Sequence, residues 1–228
     1  LGSEYAYNHY PKGWGFAGNT PLKWFKMDTF GGGIRDPLIM HWPKKITDHG
    51  GIRNQYHHCV DFVPTVLELL NIAAPSIHNG IEQLPIHGKS MVYAFDDPKV
   101  PTQKTTQYFE MLGDRGIWHD GWKAVTRHKK DSDFEADVWE LYHIEKDFSE
   151  SKNLAGEYPE KLKEMIDLWW AEAKRYDVLP LDDRDRERTA ASLKATSRKK
   201  YTYYPGMARV DRLSAPNVAN RSYQIEAD

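Results

Sequence analysis

A glycine-rich stretch near the beginning of the chain has residue types that could bind an anion. Residues 31–37 read Gly-Gly-Gly-Ile-Arg-Asp-Pro. Consecutive glycines let the backbone turn tightly or approach an anion closely. An ordinary loop before a strand would show the same pattern, so the stretch alone does not identify a binding site.

Lys26 is the candidate catalytic residue. It lies six residues before Gly32, at the end of the run Leu-Lys-Trp-Phe-Lys at residues 22–26. A lysine among aromatic rings is partly desolvated, and its ammonium group is then a strong point charge for an oxyanion. The alternative is a surface lysine with its charged end in water.

Two other clusters are weaker candidates. His57, His58 and Cys59 are adjacent, but a closed zinc site needs four ligands. We therefore expect structural histidines, a small buried cysteine and no metal site in this segment. The Gly-Lys-Ser at residues 88–90 resembles the end of a phosphate-binding loop, but Gln83 occupies the position of the required glycine.

The elements that would position these residues follow from hydrophobic periodicity. The glycine- and proline-rich residues 1–33 are predicted to be mostly loop. The run Pro-Leu-Ile-Met-His-Trp-Pro at residues 37–43 predicts a short buried strand. Apolar residues at helical spacing predict a helix over residues 61–70, with Asp61 as its N-cap.

The second half of the chain predicts an antiparallel sheet with one long helix. Asp120 and Gly121 form a good hairpin turn between two strand-like runs. The helix is expected over residues 159–176, because Leu162, Ile166 and Trp169 lie on one face. The predicted strands cover residues 106–111, 116–118, 122–128 and 138–144.

A series of short motifs resembles the later part of arylsulfatases, members of the sulfatase family in the alkaline phosphatase superfamily. It begins with Lys26 and the Gly-Gly-Ile-Arg-Asp-Pro at residues 32–37. The Asp-Phe-Val-Pro-Thr-Val-Leu-Glu-Leu at residues 61–69 resembles the family's D-x-x-P-T-x-L-x-L helix. Further matches are Gly-Lys-Ser at 88–90, Gly-Trp-Lys-Ala-Val at 121–125, Glu-Leu-Tyr-His-Ile at 140–144, and a loop at 147–155 similar to D-P-x-E-x-x-N-L. The ordered set covers roughly residues 15–176.

The resemblance implies an α/β fold. Residues 1–95 would be the C-terminal part of an alkaline-phosphatase-like α/β catalytic domain, and residues 96–180 a small C-terminal α+β subdomain. Residues 181–228, which include a run of mixed charges, would be a linker or extension leading to a further domain. We therefore expect this chain to be the C-terminal portion of a longer protein.

The resemblance also implies a mechanism for the whole protein. Sulfatases hydrolyse sulfate monoesters with a formylglycine nucleophile and a bound Ca²⁺ that polarises the sulfate oxygens. A lysine at the position of Lys26 contacts the sulfate group in that family. The resemblance therefore implies that Lys26 is the catalytic residue of this chain, and that Trp14 and Trp24 are substrate-binding walls of the cleft around it. Cys59 does not lie in a formylglycine motif, so the nucleophile and the Ca²⁺ ligands are expected upstream. Gly31 replaces a glutamate that family members often have.

Composition limits the partners. Lys and Arg number 31 and Asp and Glu number 33, giving a net charge of −2, so we expect no nucleic acid partner. No apolar run approaches the ~20 residues of a membrane span, so we expect no membrane partner either. The expected partners are a small-molecule sulfate ester and the missing N-terminal part of the catalytic domain. The alternatives are a phosphonate or phosphate monoester hydrolase, and a non-catalytic module that binds a partner through the aromatic residues 5–30.

Overall fold

The structure is a computed structural model that describes residues 10–184, 200–207, 215–216, 218 and 222–226. The chain divides into two compact units, Leu1–Leu179 and Pro180–Asp228. The described residues of the second unit contain no helix or strand. The predicted boundary near residue 95 and the predicted linker over residues 181–228 stay predictions, and much of that linker lies outside the described residues.

The described residues of the first unit form four α-helices and six β-strands, with short 3₁₀ helices between them. In chain order, the α-helices and strands are α1 (Lys12–Asn19), α2 (Gly31–Ile34), α3 (Phe62–Leu70), β1 (Ile77–His78), β2 (Ile81–Glu82), β3 (Thr106–Met111), β4 (Asp114–His119), β5 (Trp122–Thr126), β6 (Glu140–His143) and α4 (Pro159–Arg175).

Strands β3 to β6 form one antiparallel sheet in the order of the chain. His119 pairs with Trp122 across the turn between β4 and β5. Asp120 and Gly121 have φ angles of 44° and 82°, as a two-residue hairpin turn requires. The predicted hairpin is therefore confirmed.

Helix α4 packs on this sheet, as its apolar stripe predicts. Met165, Trp169 and Ala173 follow each other at intervals of four residues, and each is 0% exposed. The Trp169 indole N–H donates to the carbonyl oxygen of Phe109 at 3.1 Å, so its polar atom is satisfied in the core. Pro159 occupies the first turn, where its missing N–H costs nothing. The predicted α/β architecture, with an antiparallel sheet and one long helix, is confirmed.

One prediction about the first part of the chain is wrong, and another is incomplete. Residues 37–43 are not a buried strand: the segment has no strand hydrogen bonding with any described residue, and Ile39 is 90% exposed. A strand needs a neighbour for its backbone groups, and the described chain places none beside it. The prediction that residues 1–33 are mostly loop leaves out helix α1, which begins directly after Pro11.

Helix α3 forms where it was predicted, but most of its apolar side chains face solvent. Thr65 is the buried residue of the helix. Pro64, Leu67 and Leu69 are half-buried, and the other apolar positions around Thr65 face solvent. The exposed ones are Phe62, Val63, Val66 and Leu70, at 43%, 54%, 52% and 60% exposure.

Candidate functional site

Lys26 lies on the surface of the first unit. It is exposed, in a turn where the Asp28 N–H donates to the Phe25 carbonyl oxygen at 3.2 Å. Residues 28–30, which follow it, are buried. The structure thus fixes the backbone on the C-terminal side of Lys26 and leaves its ammonium group in solvent. Its role in contacting sulfate stays a prediction.

The two candidate wall residues have different surroundings. Trp24 packs on Phe16, with ring centroids 5.0 Å apart, and the Arg127 guanidinium lies 3.7 Å from the centre of its ring. Trp14 is 65% exposed. A cleft formed by these two rings and Lys26 would therefore be open to solvent in this chain, and their part in substrate binding stays a prediction.

The glycines of α2 allow two stretches of backbone to touch. A Cβ atom on Gly32 would lie 2.1 Å from the Trp24 carbonyl oxygen, and one on Gly33 would lie 2.0 Å from that of Asp28. The Gly32 N–H donates to the Lys23 carbonyl oxygen at 2.7 Å. Larger residues cannot fit there, so the glycines serve this close approach to residues 23–28.

A buried ion pair holds Gly31, the first residue of α2. One Glu150 oxygen accepts the Gly31 N–H at 2.7 Å, and the other accepts the Lys123 ammonium at 2.5 Å. The side chains of Lys123 and Glu150 are 4% and 1% exposed. Burial lowers the pKa of Lys123, and the Glu150 carboxylate opposes that shift. Sequence reasoning missed both residues, although Glu150 occupies the glutamate position of the D-P-x-E-x-x-N-L loop.

Lys23, rather than Lys26, is the lysine of this segment that contacts the sheet. Its ammonium donates to the Tyr142 hydroxyl at 2.9 Å and lies 5.4 Å from the centre of the Phe30 ring. The Tyr142 hydroxyl in turn donates to Glu140. Burial, together with Glu140, raises the pKa of Tyr142 well above its ordinary value. Tyr142 therefore remains a neutral donor.

Two further contacts hold the residues just after Lys26. The Thr29 hydroxyl donates to the Arg115 carbonyl oxygen at 3.2 Å. Asp28 lies 3.1 Å from the Arg127 guanidinium. Burial raises the pKa of Asp28, and the Phe30 N–H and Arg127 oppose that shift. Residues 28–31 thus contact the sheet and the loop after it through polar groups.

Asp61 is the centre of a second buried cluster. Its carboxylate accepts the N–H groups of His58 and Lys89, each at 2.8 Å, and the Lys104 ammonium at 3.2 Å. Burial by itself would raise the pKa of Asp61, but the two N–H donors and Lys104 hold it well below its ordinary value. Asp61 occupies the N-cap position of α3 as predicted, but its carboxylate makes no capping hydrogen bond to the helix. It joins three segments of chain instead.

The remaining residues of the His-His-Cys run surround that cluster. The His57 Nδ1 atom lies 3.8 Å from Asp61, beyond hydrogen-bond distance. Cys59 is exposed, so the prediction of a buried cysteine is wrong: it begins the 3₁₀ helix Cys59–Asp61 on the outer side. Among the described residues, no group of three or more His, Cys, Asp or Glu side chains is placed to hold a metal ion.

An open groove of about 630 Å³ lies between the residues after Lys26, strand β3 and the end of α4. Its walls include the cations Lys89, Lys104 and Arg175 and the anions Asp28 and Glu172. Lys26 does not line it.

No helix in the described part of the chain has the length and apolar character that a membrane span requires.

Comparison with known proteins identifies the family. A family model described as N-sulphoglucosamine sulphohydrolase, C-terminal, matches residues 23–169. An uncharacterized sulfatase of Schizosaccharomyces pombe is 31% identical over 172 residues, which are 74% of this chain and 30% of that protein. A sulfatase of Formosa agariphila is 27% identical over 156 residues, 64% of this chain and 28% of that protein.

The fold agrees with a solved structure. The crystal structure of Ps i-CgsB matches 79% of this chain and 38% of its own length, with a TM-score of 0.57 and 23% identity. The chain spans less than a third of the two curated relatives. The family model covers the Lys26 turn, the Asp61 cluster, the sheet and most of α4. The chain belongs to the N-sulphoglucosamine sulphohydrolase C-terminal family and corresponds to the C-terminal portion of a sulfatase.

Proposed function

We propose that the whole protein is a sulfuric ester hydrolase in which water cleaves an S–O bond of a sulfate monoester, and that this chain supplies its C-terminal portion. The family match over residues 23–169 carries the proposal. It includes Lys26 and the polar contacts that hold the residues around it.

The role proposed for Lys26 is to stabilise negative charge on the sulfate group. Charge builds on the sulfate and the leaving oxygen during displacement, and a fixed ammonium group stabilises it most in a site from which water is excluded. Trp14 and Trp24 would exclude water once further protein covers them. Arylsulfatase-like specificity is part of this proposal, and an aryl sulfate is the substrate with which to test it.

A formylglycine nucleophile and Ca²⁺ are proposed for the whole protein only. The described residues contain no donor set that fits a metal ion, so no step is assigned to either group here. Both would come from residues outside the described chain.

The same proposal gives a partner for the exposed apolar residues. Leu38, Ile39 and Met40 are 48%, 90% and 39% exposed, and the apolar residues of α3 are exposed beside Thr65. Exposed apolar clusters are typical of surfaces that bind other protein. Because the chain spans 30% of its S. pombe relative, we propose that the N-terminal part of the catalytic domain covers this surface.

Turnover of 4-nitrophenyl sulfate by the whole protein tests the proposal. Replacing Lys26 by Ala should lower turnover by about 10²–10³, the usual effect of removing one preorganised group. Lys26→Arg should restore it in part, because a planar guanidinium does not match a site shaped for an ammonium. Lys163→Ala, an exposed lysine on α4, is the control and should leave turnover unchanged.

Three outcomes would contradict the proposal. Near-normal turnover of Lys26→Ala would show that Lys26 is an ordinary surface lysine. Turnover of 4-nitrophenyl phosphate or a phosphonate ester without turnover of the sulfate would favour the related hydrolases instead. Absence of all three activities in the intact, matured protein would favour a binding module, whose residues 5–9 lie outside the described residues.

A further inference from the structure

We propose that Glu150 and Lys123 are positioning residues that determine the position of Lys26. They act through the glycine turn, which is the short helix α2 (Gly31–Ile34). The inference rests on the role proposed for Lys26. Burying the ion pair takes two charges out of water. Two apolar residues of similar volume would therefore often stabilise the fold equally well. The pair is almost fully buried, so stability alone does not account for it, and its geometry points to a second role.

Glu150 connects the glycine turn to the sheet. The carboxylate accepts from Lys123 on strand β5 and from the Gly31 N–H across 119 residues of sequence. A carboxylate only accepts hydrogen bonds, so one group can serve both donors at once. The sheet therefore fixes the position of the first peptide of α2.

The glycine turn packs against the backbone that carries Lys26. Gly32 contacts the backbone of Lys23 and Trp24, on the N-terminal side of Lys26, and Gly33 contacts that of Asp28 and Phe25. The glycine turn thus touches the chain on both sides of Lys26. A shift of Gly31 would move both contacts, and the Lys26 backbone with them. Displacements of about 1 Å can cost 10²-fold in rate.

Glu150→Gln and Gly31→Ala disturb the contact between Glu150 and Gly31 in different ways. Glu150→Gln keeps an oxygen for Gly31 but turns an amide NH₂ towards the Lys123 ammonium, so two donors face each other. Lys123→Met in the same protein removes that conflict and leaves the glutamine oxygen for Gly31. Gly31→Ala disturbs the link without a charge change, because its Cβ would lie 3.2 Å from both Glu150 and Leu22.

The test is a double-mutant cycle in the whole protein with 4-nitrophenyl sulfate. Glu150→Gln should lower kcat by about 10- to 100-fold. In the Lys26→Ala background, the same change should lower kcat by less than about threefold, because contacts that act through one residue are not additive. Adding Lys123→Met to Glu150→Gln should restore part of kcat, because the glutamine oxygen again accepts the Gly31 N–H while the anchor to β5 is still missing. All variants are assayed at a temperature where circular dichroism shows them folded.

Asp61→Asn is the matched control, because Asp61 forms a second buried lysine–carboxylate pair, with Lys104, and its carboxylate accepts from the N–H groups of His58 and Lys89. Any effect it has on kcat should be the same in the wild-type background and in the Lys26→Ala background. If Glu150→Gln does not fold, Gly31→Ala replaces it in the cycle with the same expectation.

The outcomes separate this inference from the proposed function. If Lys26→Ala lowers turnover but Glu150→Gln costs the same in both backgrounds, Glu150 is a structural residue and the positioning role is wrong. If Lys26→Ala has near-normal turnover, the role of Lys26 in the proposed function fails, and the positioning role fails with it. Coupling of Glu150 and Lys26, without coupling of Asp61, supports the inference.

Discussion

The sheet with helix α4 and the segment over residues 36–90 have similar apolar side chains but place them differently. In the sheet and α4, Ile117, Leu141 and Trp169 are each 0% exposed. In the segment, Ile39 and Leu84 are 90% and 91% exposed. The first region buries its apolar residues against its own elements. The second has the apolar residues of a core without a described partner for them.

The polar clusters follow the same division. The Lys123–Glu150 pair and the Arg115–Asp137 pair each join a strand of the sheet to a loop, and both pairs are almost wholly buried. The 36–90 segment has the Asp61 cluster, which joins α3 to Lys89 and Lys104. Its backbone therefore has a defined shape while its apolar face stays open. This difference is what we expect of a chain that contains one complete subdomain and one part of a larger domain.

The largest effect is expected from Trp169→Ala in the sheet region. Among the described residues, Trp169 is the largest fully buried side chain. The change removes it together with its hydrogen bond to Phe109, and should lower the free energy of unfolding by about 3–5 kcal/mol. Urea denaturation of the chain followed by circular dichroism measures it. Trp170→Ala, on the half-buried neighbour, is the control and should cost less. An equal cost for the two would mean that α4 does not pack as described.

A smaller effect is expected from Asp61→Asn in the 36–90 segment. Breaking the buried contact with Lys104 should cost about 3 kcal/mol at pH 7. Because the pKa of Asp61 is lower in the folded chain than in the unfolded one, its contribution is fully present above the ordinary carboxyl pKa of 3.8 and is lost as the pH falls below it. The difference between wild type and variant should therefore shrink from pH 5 to pH 3. A difference that grows towards low pH would show that the pKa is shifted the other way.

The smallest effect is expected from Leu70→Ala on α3. Leu70 is 60% exposed, so the change should alter the free energy of unfolding of this chain by less than about 0.5 kcal/mol. In the whole protein, where we propose that this face is covered, it should cost about 2 kcal/mol or more. Thermal unfolding of both proteins provides the comparison. A cost of 2 kcal/mol in the chain alone would show that α3 is already packed.

Some of the fold follows from sequence because its causes are local. Asp120 and Gly121 adopt positive φ angles that few other residues tolerate, and the apolar spacing of Met165, Trp169 and Ala173 matches a helix face. The exposure of residues 37–43 could not be predicted this way. An apolar run looks the same whether or not a neighbouring strand is present, and no described strand lies beside it.

The candidate site was less predictable, because its contacts join distant parts of the chain. Lys26 and the glycines were found from residue type and spacing, but Glu150 is 119 residues from Gly31. A glutamate in a polar loop gives no local sign that it is buried against a lysine. The same is true of Asp61, where a helix cap was predicted and a contact with Lys104 was found. For Glu150, its place at the glutamate position of the D-P-x-E-x-x-N-L resemblance was the one sign in the sequence that it belongs to the site.

Hydrogen exchange of the isolated chain and of the whole protein tests most directly whether residues 36–90 are part of a larger domain. Amides of α3 should exchange at least about tenfold more slowly in the whole protein, because exchange reports local opening and a covered helix opens less often. Amides of β4, β5 and α4 should exchange at similar rates in both. Equal protection of α3 in the two proteins would contradict the proposal that further protein covers its apolar face.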